Sequence, residues 1–171
     1  MRLRGHHLLC SLGFRGLGYS PGFVVRMTEV LATLAAAPHT EVLLTDEADV
    51  LCAAFPTDQP PHCGEQRVRL RDRAVLRRLG WAPGQVRAWQ LIRQGLAQCF
   101  VPADIELLCA SCPWRPLGYC AEGLERLRAE SGPSPAVRPA TVRRAPPGYL
   151  RSERGDLTTA FWGGGPDRRR G

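Results

Sequence analysis

The chain contains no lysine: all 23 of its basic residues are arginine. Selection for a specific guanidinium contact at every one of those sites is physically implausible, so a compositional bias of the coding sequence is the simpler account. The arginine count therefore points to no partner by itself. No run of eighteen or more apolar residues occurs, so no membrane span is expected. The N-terminus, Met1-Arg2-Leu3-Arg4-Gly5-His6-His7, leads into an apolar segment that breaks at Gly13-Phe14-Arg15-Gly16 without a cleavage site, which makes a poor signal peptide. A cytoplasmic location is expected, where thiols stay reduced. The sequence offers no Ser-His-Asp set, no HExxH and no convincing pair of carboxylates. Gly16-Leu17-Gly18 lacks the strand context of a dinucleotide fingerprint and the lysine of a P-loop, so tight-turn glycines account for it.

Charge is unevenly placed. Of the net +7, residues 131–171 carry +5 and residues 1–130 only +2. The tail is rich in Pro, Gly, Ser and Arg, loses hydrophobic periodicity and reads as a disordered extension. It has no aromatic interleaving or base-reading motif, so no specific nucleic-acid partner is expected. At 171 residues the chain can bury one substantial core, placed here in residues 1–130.

What is present is cysteine, seven residues, five of them in a repeated pattern. One copy reads Cys109-Ala-Ser-Cys112-Pro113, then six residues, then Cys120. The other, earlier in the chain, reads Cys52-Ala-Ala-Phe55-Pro56, then six residues, then Cys63, with Phe55 where the later copy has Cys112. In a reducing compartment, such clustered sulfur favours a metal or an iron–sulfur cluster over disulfides. Pro113 stiffens the turn after Cys112. Three thiolates do not close a four-ligand site, and Cys10, Cys52, Cys63 or a histidine could supply the fourth. On a helix, Cys10 shares a face with His6 at i,i+4 and with His7 at i,i+3. Cys52 and Cys63 could help complete that cluster or bind with Cys10 at a second site. Alternatively, their copy is a relic whose Phe55 now packs. Cys99 lies outside both copies, on a helix, as core filler.

The expected fold is α+β, a mostly helical single domain with a small sheet and cysteine-rich loops. Arg2 to Arg4 and Glu41 to Thr45 read as strands that form a parallel pair. His6 to Leu12 reads as a brief helix. Ser20 caps a helix running from Pro21 to about Ala36, with Phe23, Val24, Met27, Val30, Leu31 and Leu34 on its apolar side. Further helices are expected over Val68 to Leu79, Pro83 to Cys99, from Pro102 to Cys109, and from Cys120 to Glu130. Within the second of these, Val86, Trp89, Leu91, Ile92 and Leu96 are the candidates for burial.

The segments His6-His7-Leu8-Leu9-Cys10, Gly13-Phe14-Arg15-Gly16 and Gly18-Tyr19-Ser20-Pro21 resemble the bacterial and archaeal proteins grouped as domain of unknown function 1284. The likeness continues through Asp49-Val50-Leu51-Cys52, Leu76 to Gly80 and Cys109 to Gly123, nearly everything but the tail. It implies a cysteine where Phe55 stands, and it implies iron–sulfur binding. Residues and resemblance together predict a cluster, 4Fe-4S being the first candidate type, on Cys109, Cys112, Cys120 and one of Cys10, Cys52 or Cys63. Electron transfer or redox sensing with a redox partner protein follows, in a binding protein and not an enzyme by itself. The alternatives are a structural zinc interaction module and a thiol-disulfide protein using Cys109 and Cys112.

Overall fold

A computed structural model describes residues 1–132. The tail expected from Ser131 lies, but for its first two residues, outside the described residues. Strand β1 (Arg2–Arg4) runs directly into helix α1 (Gly5–Gly13), which is followed by α2 (Pro21–Ala36) and β2 (Glu41–Thr45). After a 3-10 turn at Cys52–Ala54 come α3 (Gln66–Arg78), β3 (Val86–Ala88), α4 (Trp89–Cys99) and α5 (Pro102–Leu108). A second 3-10 turn at Arg115–Leu117 leads into α6 (Tyr119–Glu130). Among the described residues, six helices and a three-stranded sheet make the domain α+β and mostly helical.

Local chemistry sets the boundaries. The Ser20 hydroxyl accepts from the Phe23 N–H at 3.1 Å, and Pro21 fills the first position of α2, where no N–H is needed. At the start of α5 the Asp104 carboxylate accepts from the Val101 N–H at 2.8 Å, the reach-back half of a capping box. The apolar face of α2 buries Met27, Val30 and Leu34, with Phe23 and Leu31 packed at its border.

The sheet order is β1-β2-β3. Strands β1 and β2 pair in parallel with Leu3 opposite Leu44, as their spacing across one crossover predicts. The expected helix from Pro83 is corrected. Residues Val86–Ala88 form β3, antiparallel to β2 with Val42 opposite Arg87, and helix α4 starts only at Trp89. Gly84 at φ +89° takes the chain out of helical geometry. The exposed edge of β2 then offers ladder partners: Gly84 N–H donates to Leu44 O, and Leu44 N–H donates to Gln85 O, both at 2.8 Å. In consequence Val86 is exposed, as is Leu91 on the outer face of α4, while Trp89, Ile92 and Leu96 enter the core as expected.

Helix α1 lies at the centre. Leu8 and Leu9 are buried with Leu3, Leu44, Leu76, Phe100 and Leu124. Close backbone approach is bought with glycine. A Cβ on Gly13 would stand 2.5 Å from the Cys120 nitrogen, and one on Gly123 would stand 2.1 Å from the Leu12 carbonyl oxygen. These two positions bring the end of α1 against the first turns of α6.

Candidate metal centre

The close packing of α1 on α6 decides which cysteines meet. Cys10 projects from α1, and Cys120 is the second residue of α6. Cys109 ends α5, its N–H bonded to Ile105 O at 2.9 Å, and the Cys112 N–H returns to Cys109 O at 2.8 Å. That turn curls the Cys109–Cys112 segment back on itself. Gly118, at φ +73°, makes the left-handed step that sends the chain into α6. Cys10, Cys109, Cys112 and Cys120 all line one cavity of about 290 Å³, together with His6, His7, Tyr19, Arg71 and Trp114.

The thiols of this quartet influence one another. The Cys10 thiol is pushed well up, first by sharing its proton with Cys120, then by burial, then by the charges that Cys120, Cys112 and Cys109 would carry. Cys120 moves down, because the Cys10 thiol can donate to its sulfur. Burial pushes Cys109 up to about 11, opposed by the Arg71 guanidinium and reinforced by Cys112 and Cys120. Four thiolates crowded in one place repel each other, and a cation among them would remove that cost.

Cys52 and Cys63 do not line this cavity. They are gathered instead around Arg4, whose Nη1 donates to Cys52 Sγ at 3.6 Å and to Cys63 O at 2.7 Å. Burial pushes the Cys52 thiol up to about 12, with the Asp49 charge adding to it. Phe55, in place of a third cysteine, packs on Tyr19 and His62 with ring centroids 4.8 and 5.1 Å away. Cys99 is half-buried at the end of α4 against the core, as expected of filler. All seven cysteines are free thiols.

Sequence reasoning missed the polar frame behind the histidines. Arg4 and Asp72 are both fully buried and paired, Arg4 Nε and Nη2 reaching Asp72 Oδ2 at 2.8 and 2.7 Å. Asp72 Oδ1 accepts from the His6 N–H at 2.9 Å and meets His6 Nδ1 at 2.6 Å. Asp49 Oδ2 accepts from the Arg4 N–H at 2.8 Å and meets His7 Nδ1 at 2.7 Å, while its Oδ1 accepts from the N–H groups of Leu51 and Cys52, both at 3.0 Å. Burial alone would push the Asp49 carboxyl up. The His7 hydrogen bond and charge, with the Arg4 and Cys52 N–H groups, outweigh burial and hold it well below the usual carboxylate range. Asp72 is lowered in the same way, burial being outweighed chiefly by His6. Burial, then the neighbouring His7, lower His6 to about 4, so at neutral pH it is uncharged. The sequence signal for this frame was slight: Asp49 stands two and three residues before the N–H groups it caps, an Asx-turn spacing.

Among the described residues, one set of three His, Cys, Asp or Glu ligand atoms lies mutually within 4.8 Å: His7, Asp49 and Cys52. This group could hold a metal ion. Because Asp49 already accepts four hydrogen bonds, an ion there would have to replace the proton between His7 Nδ1 and Asp49. No three of the quartet sulfurs lie mutually within 4.8 Å. A single tetrahedral zinc with Zn–S near 2.3 Å would set its sulfurs only ~3.8 Å apart.

Fold and site together define a cysteine-rich α+β domain with a candidate metal centre between its first and last helices. The chain belongs to the family described as Protein of unknown function (DUF1284), whose model matches residues 18–118. The match contains Cys52, Cys63, Cys109 and Cys112, while His6, His7, Cys10 and Cys120 lie beyond its ends. No curated protein and no solved structure matches the chain.

Proposed function

We propose that this domain binds an iron–sulfur cluster through Cys10, Cys109, Cys112 and Cys120 and serves in electron transfer or redox sensing with a protein partner in a reducing compartment. One observation carries the reading: four thiols from α1, the end of α5, the following turn and α6 line a single cavity. Thiolate is the donor such clusters take. When bound, the cluster would supply a reversible electron couple. The chain's own contribution is to bury the thiolates and to place Arg71 near Cys109, where its charge favours the ionised sulfur. A thiol-disulfide role for Cys109 has less support, since an attacking thiol needs a lowered pKa and this one is raised.

Anaerobic purification or reconstitution, followed by iron and sulfide analysis, tests the proposal. The expected result is iron and sulfide in near-equal amounts with a visible charge-transfer absorbance, lost in Cys112→Ser and kept in Cys99→Ser. Stoichiometric zinc without iron would establish the structural zinc reading instead. Protein free of iron after reconstitution would overturn the cluster.

A further inference from the structure

His6 and His7 are not explained by the cysteine quartet. Their rings stand side by side, with centroids 4.2 Å apart and planes tilted by 53°, and both line the same cavity as the four thiols. Each ring is fixed through Nδ1 by a different buried carboxylate, His6 by Asp72 and His7 by Asp49. Neither carboxylate lines the cavity. With Nδ1 turned away toward Asp72 and Asp49, the ring edge left to the cavity carries Nε2. Among the described residues, neither Nε2 takes part in a hydrogen bond; the ring hydrogen bonds of His6 and His7 run through Nδ1 alone.

The carboxylates also fix the tautomer. An ionised carboxylate accepts and does not donate, so Nδ1 must carry a proton, and in the neutral imidazole Nε2 then keeps the lone pair. A histidine whose Nδ1–H is held by a carboxylate and whose Nε2 is left as a base is the arrangement found around metal-bound histidine. Here it occurs twice, on consecutive residues of one rigid helix, against one cavity. The supports are themselves anchored: Asp72 by the buried Arg4, and Asp49 by the N–H groups of Arg4, Leu51 and Cys52. This is a costly frame to build for two rings that only pack.

We propose that Nε2 of His6 and Nε2 of His7 form a second metal site beside the cysteine quartet, taking a divalent transition-metal ion of borderline character, with its other coordination positions open to the cavity. Imidazole nitrogen suits zinc, ferrous iron, cobalt, nickel and copper, and does not suit magnesium or calcium. The site differs from the His7, Asp49 and Cys52 group, which would bind His7 through Nδ1. It also does not depend on what the quartet holds.

The test uses the full reduced chain with histidine labelled in its ring nitrogens, titrated with zinc ions and followed by nitrogen NMR. Zinc-edge X-ray absorption then counts nitrogen and sulfur around the bound metal. The expected result is a saturable shift of the Nε2 resonances of His6 and His7 together, with Nδ1 staying protonated, and a zinc equivalent coordinated by imidazole without sulfur. That equivalent should be lost in His6→Gln and in His7→Gln, while any sulfur-bound metal stays unchanged. A shift at His7 Nδ1, or zinc found with sulfur neighbours alone, would overturn the proposal. So would Nε2 resonances that do not respond, a result that needs no folded variant. Failure of the quartet reading would look different, with no sulfur-bound metal and the imidazole-bound equivalent intact.

Discussion

Arg4 brings a full charge to a position with no exposed surface, and Asp72, equally buried, is what makes that tolerable. A buried pair adds little net stability when intact, because both ions lose their water. Removing one partner is costly, because the other is left charged and unpaired. Arg4→Met should therefore lower the unfolding free energy by about 3–5 kcal/mol. Urea unfolding should show this as a lower midpoint at unchanged m. A loss below about 1 kcal/mol would mean that solvent reaches Asp72. Nothing in the sequence separates Arg4 from its 22 fellow arginines. A composition without lysine hides the guanidinium that, alone among those of the described residues, is fully buried.

His6 adds a pH dependence of definite sign. Its pKa is about 4 in the fold against an ordinary 6.5. Between those values the unfolded chain holds more protons than the folded one, so stability is full above about pH 6.5 and falls as pH drops toward 4. Asp49 and Asp72, both lowered, extend the loss below the ordinary carboxylate value of 3.8. In metal-free reduced protein the urea midpoint should decline through this window, by an amount on the order of 3 kcal/mol in stability for His6. His6→Gln should flatten the upper part of the curve. A flat wild-type profile from pH 7 to about 4 would contradict the buried, neutral His6.

At the scale of elements, the contact between α1 and α6 carries the site, and glycine makes that contact possible. Gly123→Ala in an exposed helix would stabilise by roughly 1 kcal/mol, since alanine is the better helix former. Here the new methyl would meet the Leu12 carbonyl, a backbone atom that cannot rotate aside, at 2.1 Å. Overpacking of that kind costs roughly 1–3 kcal/mol, so the net effect should be destabilising, and the sign alone decides. The same substitution should separate Cys10 from Cys120 and reduce metal retention more than Gly64→Ala, where a Cβ meets nothing within 4 Å. Most of the elements were legible because local signals and tertiary packing agree. Ser20-Pro21 caps α2, Pro102 opens α5, and Met27, Val30 and Leu34 in α2, like Ile92 and Leu96 in α4, repeat at helical spacing. Strand β3 was not legible. Its three residues have no alternation long enough to read, and only pairing with β2, some forty residues earlier, turns them from helix to strand.

At the scale of the whole molecule, the two cysteine copies separate. Their identical spacing suggested similar roles, but spacing says nothing about where a loop lands. The second copy lies against α1 and meets Cys10, while the first is drawn to Arg4 and Asp49, and Phe55 turns into an aromatic group around Tyr19. Cys10 was visible as a candidate from its place beside two histidines, but that α1 would lie on α6 could not be read from residue order. The consequence is a site that ties the first helix of the domain to the last. Metal that bound there, and not to the unfolded chain, would stabilise the fold by about 2.7 kcal/mol when free metal exceeds the dissociation constant a hundredfold. Loading should therefore raise the melting temperature and slow amide exchange in α1 and α6 together, and a chelator should reverse both. Because the Cys10 and Cys109 thiols sit above their ordinary pKa, binding must expel their protons, so the gain should shrink as pH falls. Cys112→Ser should remove the gain and Cys99→Ser should leave it. Protection that rises in α6 but not in α1 would show that Cys10 is not a ligand, and that the fourth donor comes from elsewhere.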